Sequence, residues 1–217
     1  MQRMVGILIC GAFLSGSIGS FSEAQELGPY FPISRAPLEV RKGEAPLSSL
    51  TQTEAREVAG EFKGLLYYGA RKYPYEKWPG KEMSDCLSST SQPWSYQCEM
   101  ITGHANAFYY FYRDPAHPHG TLQQVDVRFN VADDAILREL KRPLRSLFGE
   151  GVYRSKATEE ENAWGVSAPS WRWTTPQDLA YLYMDAGPDG EALARFQWRR
   201  SPLLSPLTTA SLSRSGN

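Results

Sequence analysis

The sequence predicts an α+β fold: two tandem α-β-β-β units forming a mainly antiparallel sheet with helices packed on one face. Three recurring features predict it. A helical apolar stripe ends in an aromatic-Gly step at Tyr68-Gly69 and again at Phe148-Gly149. After each comes a Trp-bearing segment (Trp94, Trp171) and an aromatic strand ending in Asp, residues 109–114 and 181–185. A Pro/Gly turn then leads into a strand of alternating apolar residues, 125–129 and 194–198. The spacing between the copies falls from 80 residues at Tyr68/Phe148 to 69 at Phe129/Trp198, as shorter loops in the second copy would give. An internal repeat outranks other fold signals.

Residues 1–24 read as a secretory signal. Arg3 precedes an apolar run at residues 4–14, which is too short to span a bilayer, and Ser22 and Ala24 supply the small residues of a cleavage site. Cys10 lies inside that run after Ile9, where a lipid-attachment motif needs a small residue. Residues 25–49 are Pro-rich and are expected to form an extended linker.

The first unit is placed at residues 50–131. Thr51 followed by Glu54 makes a capping box. Ala55, Val58, Ala59, Phe62, Leu65 and Leu66 recur at helical spacing, and Gly69 is expected to end the helix in a left-handed cap. Trp94, Tyr96, Cys98 and Met100 alternate with polar residues, as a half-buried strand does. Residues 107–113 (AFYYFYR) are β-prone through their aromatic rings, and Asp114-Pro115 turns the chain into a strand at 122–129.

The second unit is placed at residues 132–200. Asp133 or Asp134 is the expected N-cap for a helix carrying Ile136, Leu137, Leu140, Leu144, Leu147 and Phe148 on one stripe, closed by Gly149. Strands follow at 171–173, 179–184 and 192–199. Residues 201–217 contain no aromatic residue and are expected to be a disordered tail.

Export changes how the cysteines read. Without Cys10 two remain, Cys86 and Cys98, and an even count in an oxidising compartment predicts one disulfide. The expected location is periplasmic or secreted, with no membrane span in the mature chain. Lys plus Arg number 23 against 24 Asp plus Glu, so the net charge of −1 argues against a nucleic-acid binder.

No catalytic motif is legible. There is no Gly-x-Ser-x-Gly elbow, Walker A loop or dinucleotide fingerprint, so no catalytic residue and no cofactor is assigned. His104, His117 and His119 lack partners at a zinc spacing, so no metal is assigned. Glu159-Glu160-Glu161 reads as a solvated loop.

The open sheet face is the candidate site. Alternation assigns Val125, Val127, Phe129, Leu182, Met184, Phe196 and Trp198 to the helix side. It assigns Tyr109, Phe111, Asp126, Arg128, Tyr181, Tyr183, Arg195 and Gln197 to the other. Tyr109, Phe111, Arg128, Tyr181, Tyr183 and Arg195 are therefore the candidate binding residues, because aromatic and Arg side chains dominate binding hot spots.

The segments LYYGA (66–70), TGHANAFYY (102–110), Leu147-Phe148-Gly149 and ARFQW (194–198), with the Cys86/Cys98 pair, give the chain a likeness at the level of architecture. It resembles the β-lactamase inhibitor proteins and the small outer-membrane assembly lipoproteins of the BamE type. The resemblance implies an exported protein of two αβ units that docks a target on an aromatic sheet face. Only the first unit carries cysteines here, and no contact residue is carried over. The leading expectation is thus a non-enzymatic protein-binding module whose partner is another exported or envelope protein. Two alternatives are an exported hydrolase or ligand binder, with a pocket between the units and His104 or a carboxylate at its edge, and a structural envelope protein whose residues 25–49 cross the open face.

Overall fold

The computed structural model describes residues 45–69, 71–187 and 190–200. The expected signal, residues 25–44 of the linker and the tail at 201–217 lie outside the described residues. Helix α1 (Gln52–Gly69) leads through two 3-10 turns (Tyr75–Lys77 and Lys81–Met83) into four strands. These are β1 (Asp85–Ser88), β2 (Trp94–Ile101), β3 (Ala105–Asp114) and β4 (His117–Phe129). Helix α2 (Ile136–Phe148), β5 (Val152–Arg154) and a short α3 (Glu159–Ala163) follow, then β6 (Ser170–Thr174), β7 (Asp178–Ala186) and β8 (Ala192–Arg200).

The strands form one antiparallel sheet in the order β1-β2-β3-β4-β8-β7-β6-β5. That order is palindromic, so the two units share one topology and meet edge to edge through β4 and β8, from Gln124–Arg199 to Arg128–Arg195. The fold class is the expected one. Each unit carries one strand more than expected, because β1 (DCLS) and β5 (VYR) are too short to show alternation.

Local chemistry sets the helix ends. The Thr51 backbone N–H donates to Glu54 Oε2 at 2.8 Å, and the Glu54 N–H donates to Thr51 Oγ1 at 3.2 Å. The Thr51 hydroxyl bond holds the Glu54 carboxyl below its ordinary pKa. Gly149 closes α2 at φ 79°, donating its N–H to Arg145 O. Gly69 departs from expectation: it is the last residue of α1 and is absent from the positive-φ glycines. A Cβ there would lie 2.9 Å from Val125 Cγ2, so this glycine permits close approach of helix to sheet. Helix α2 begins at Ile136, later than either aspartate. Asp133 accepts from the N–H groups of Leu50 and Ala135 and so ties the entry of α1 to that of α2.

Both long helices pack on one face. Val58, Phe62, Leu65 and Leu66 of α1 and Ile136, Leu140 and Leu144 of α2 are buried there with Val125, Val127, Phe129, Leu182, Phe196 and Trp198. Phe62 sits over the joint: its ring makes edge contacts with Phe129 of the first unit (5.3 Å between centroids) and Phe196 of the second (5.1 Å). Each helix end also receives an indole. Trp78 Nε1 donates to Tyr68 O at 2.7 Å, and Trp173 Nε1 donates to Gly149 O at 3.0 Å. These donors satisfy carbonyls at the helix C-termini that the helices themselves leave unpaired.

Cys86 and Cys98 form the expected disulfide and are direct partners in the β1–β2 register. The bridge pins the outermost strand of the first unit to its neighbour. Among the described residues no helix is long and apolar enough to cross a membrane.

Two outcomes follow. Phe62→Ala should lower the unfolding free energy by about 3–5 kcal/mol, read by urea denaturation, since it empties a buried aromatic site shared by both units. Replacing Cys86 and Cys98 together by Ala should cost roughly 3 kcal/mol, the chain-entropy value for a short closed loop. Thiol titration of the denatured protein should find neither Cys86 nor Cys98 free.

Candidate docking face

Strand pairing sets which side chains face away from the helices. Tyr109 pairs with Val125 and Ala107 with Val127, and partners in register lie on one side of the sheet. Tyr109 and Phe111 are therefore on the helix side and fully buried, which corrects their expected place on the open face. The Tyr109 hydroxyl donates to Leu65 O at 2.9 Å, and burial pushes its pKa well above the ordinary tyrosine value. Register shifts explain the reversal. Between the pairs Asp114–His117 and Tyr110–Gln124, β3 advances four residues and β4 seven, so alternation counted from the turn emerges on the wrong face.

The other candidates take the expected side. Asp126 pairs with Gln197, Arg128 with Arg195 and Tyr183 with Arg195. Tyr181 and Tyr183 are nonetheless buried, because residues 155–169, the link from β5 to β6, fold back over them. This flap starts with a second capping box, in which the Thr158 N–H donates to Glu161 Oε2 at 2.8 Å and the Glu161 N–H donates to Thr158 Oγ1 at 3.1 Å. Glu161 is 1% exposed and meets Arg172 Nη1 at 3.2 Å, so it belongs to a buried ion pair, not to a solvated loop. The Trp164 ring lies against the Arg199 guanidinium, Val166 joins the Tyr181–Tyr183 cluster, and the Tyr183 hydroxyl donates to Gly165 O. Burial also pushes the Tyr183 phenol up.

The topologically equivalent link in the first unit, residues 89–93, has five residues where the flap has fifteen. No described element crosses the face there, and Trp94, Phe108, Tyr110 and Tyr112 stay half-exposed. Trp94 and Tyr110 make an edge contact at 5.3 Å, and Tyr112 Oη donates to Gln124 at 3.0 Å. Burial raises the Tyr110 and Tyr112 pKa values above the ordinary tyrosine value. At the rim Leu87 is 72% exposed. These four aromatic residues escaped sequence reasoning. The signal that finds them is the pairing of Trp94 with Tyr112 and of Phe108 with Asp126, which places them beside the polar residues of β4.

A charge network crosses the joint between the units. Arg195 forks onto Asp126, with Nε to Oδ1 at 2.9 Å and Nη2 to Oδ2 at 2.8 Å, and its Nη1 reaches Asp185. Burial disfavours the Arg195 charge, but the two carboxylates outweigh it and hold its pKa above the ordinary arginine value. Arg128 leans on the same Asp126 Oδ2 at 3.2 Å, lies 5.0 Å above the Phe108 ring, and keeps 56% of its side chain in solvent.

The remaining candidates have structural partners. Glu61 of α1 accepts from Thr102 Oγ1 at 2.7 Å and from the His104 N–H at 3.0 Å, and His104 Nδ1 lies 3.0 Å from its other oxygen. This clasp fastens the β2–β3 turn to α1. His119 stands 4.0 Å from Glu76 and beside the Tyr75 and Tyr96 rings. No group of three metal-ligating side chains occurs among the described residues. A cavity of about 160 Å³ at the joint is lined by Gln124, Trp164, Tyr181, Gln197, Trp198 and Arg199, a lining with neither His104 nor a carboxylate. Of the expected linker, residue Leu47 pairs beside Val131 and packs against the main core, away from the open face.

No protein-family model, curated protein or solved structure matches this chain.

Asp126 holds two arginines while only 4% exposed. Asp126→Asn should destabilise the fold by about 3 kcal/mol, since it removes the charge that Arg128 and the half-buried Arg195 both meet. Combining Asp126→Leu with Arg195→Met should cost less than that single change, as paired urea titrations would register.

Proposed function

We propose that this chain is an exported, non-enzymatic protein-binding module that docks a partner on the first-unit half of its open sheet face. The observation that carries the reading is the half-buried row Trp94, Phe108, Tyr110 and Tyr112, which no described segment covers, whereas the second unit is covered by its own flap. Tyr and Trp bring large contact area with few rotors to restrain, which suits them to binding hot spots. An aromatic sheet face is also what the resemblance to the inhibitor proteins implies. Export is supported by the signal pattern at residues 1–24 and by the Cys86–Cys98 disulfide, which suits an oxidising compartment. The partner is then another exported or envelope protein.

Affinity capture from an envelope extract tests the reading. Wild-type bait should recover a discrete protein that Trp94→Ser with Tyr110→Ser loses, while Val152→Ser at the opposite sheet edge retains it. Equal recovery by the double variant, with its thermal melt unchanged, would refute the docking face.

A further inference from the structure

The docking reading leaves open what the partner presents, and the chain's own flap supplies a template. On the second-unit half the flap brings a carboxylate to one arginine of the face (Glu161 to Arg172) and an indole to another (Trp164 on Arg199). It adds a backbone acceptor for the Tyr183 phenol. The first-unit half has the same kinds of groups and no flap. Arg128 is its cation, Phe108, Tyr110 and Trp94 are its rings, and residues 89–93 are too few to reach across them.

Charge accounting separates Arg128 from its neighbours. Arg195 takes both oxygens of Asp126 and a contact to Asp185. Arg128 is left with contacts of 3.2 and 3.3 Å to one oxygen that is already shared. Its guanidinium is the exposed member of the network, stacked over Phe108 with donors to spare, and a planar fork of this kind suits a carboxylate. The acids of the same face, Asp126, Asp185 and Glu99, break any continuous basic stripe, which disfavours a nucleic-acid backbone as the occupant.

We infer that the partner is a protein whose docking segment, like the flap, carries a carboxylate for Arg128 and an aromatic or bulky apolar side chain for the Trp94–Tyr110 pair. This inference rests on the docking reading, and its test separates the two.

Random peptides displayed on phage would be selected on the full mature chain, then measured against Trp94→Ala, Arg128→Gln and Val152→Ser, each first shown to melt like wild type. The expected winners carry Asp or Glu within a few residues of an aromatic. They should bind Arg128→Gln and Trp94→Ala at least about tenfold more weakly, and Val152→Ser unchanged. Winners that need Trp94 but ignore Arg128 would overturn the carboxylate and leave the docking face standing. Winners indifferent to both, or no winners at all, would count against the docking face itself. A wild-type dimer by light scattering that Arg128→Gln dissociates would identify a second copy as the occupant and overturn the inference.

Discussion

The edge-to-edge pairing of β4 with β8 is the constraint on which this molecule depends. It turns two four-stranded halves into one sheet, and each half alone would expose a long edge and half of a helix-covered core. Five register pairs cross the joint. On the helix side Phe62 bridges it through Phe129 and Phe196. On the opposite side Asp126 and Arg195 bridge it through a two-point ion pair. The joint is thus apolar above and ionic below. The ionic side is only partly withdrawn from water, and its carboxylates and guanidinium groups are also bonded to their neighbours.

A duplicated sheet has two equivalent halves of open face, and this chain treats them differently. A long link in the second unit folds into α3 and its following turn and buries Tyr181 and Tyr183. A short link in the first unit leaves the corresponding aromatic residues half-buried, with no described segment across them. Difference in loop length, not in strand chemistry, creates the asymmetry. In a repeated scaffold the regular elements supply rigidity and the connections decide which surface is accessible. The same asymmetry places the cavity of about 160 Å³ where the flap ends and the open surface begins.

Much of the architecture was legible in the sequence, and the failures have physical causes. The helical stripes, the Thr51–Glu54 box, the Gly149 cap, the disulfide and the helix side of β4, β7 and β8 follow from periodicity and residue chemistry. The face of β3 does not. Its five consecutive aromatics, residues 108–112, carry no alternation, and register shifts against β4 invert the phase counted from the turn. At the residue level the repeat is looser than its spacing implies: Trp171 packs on the helix side beneath Lys141, whereas its apparent counterpart Trp94 lies on the open side. The burial of Tyr181 and Tyr183 was also hidden, since a three-glutamate segment looks solvated until Arg172 is seen to neutralise Glu161 from the neighbouring sheet.

The central claim is that one half of the face is open and the other is closed by the chain itself. Hydroxyl-radical footprinting of the protein, free of any partner and read residue by residue, tests it most directly. The account predicts oxidation at Trp94, Phe108, Tyr110 and Tyr112, with Tyr109, Tyr181 and Tyr183 protected to the level of the core. Protection of the Trp94 group in the free chain, or labelling of Tyr181 and Tyr183 at the same rate, would contradict it.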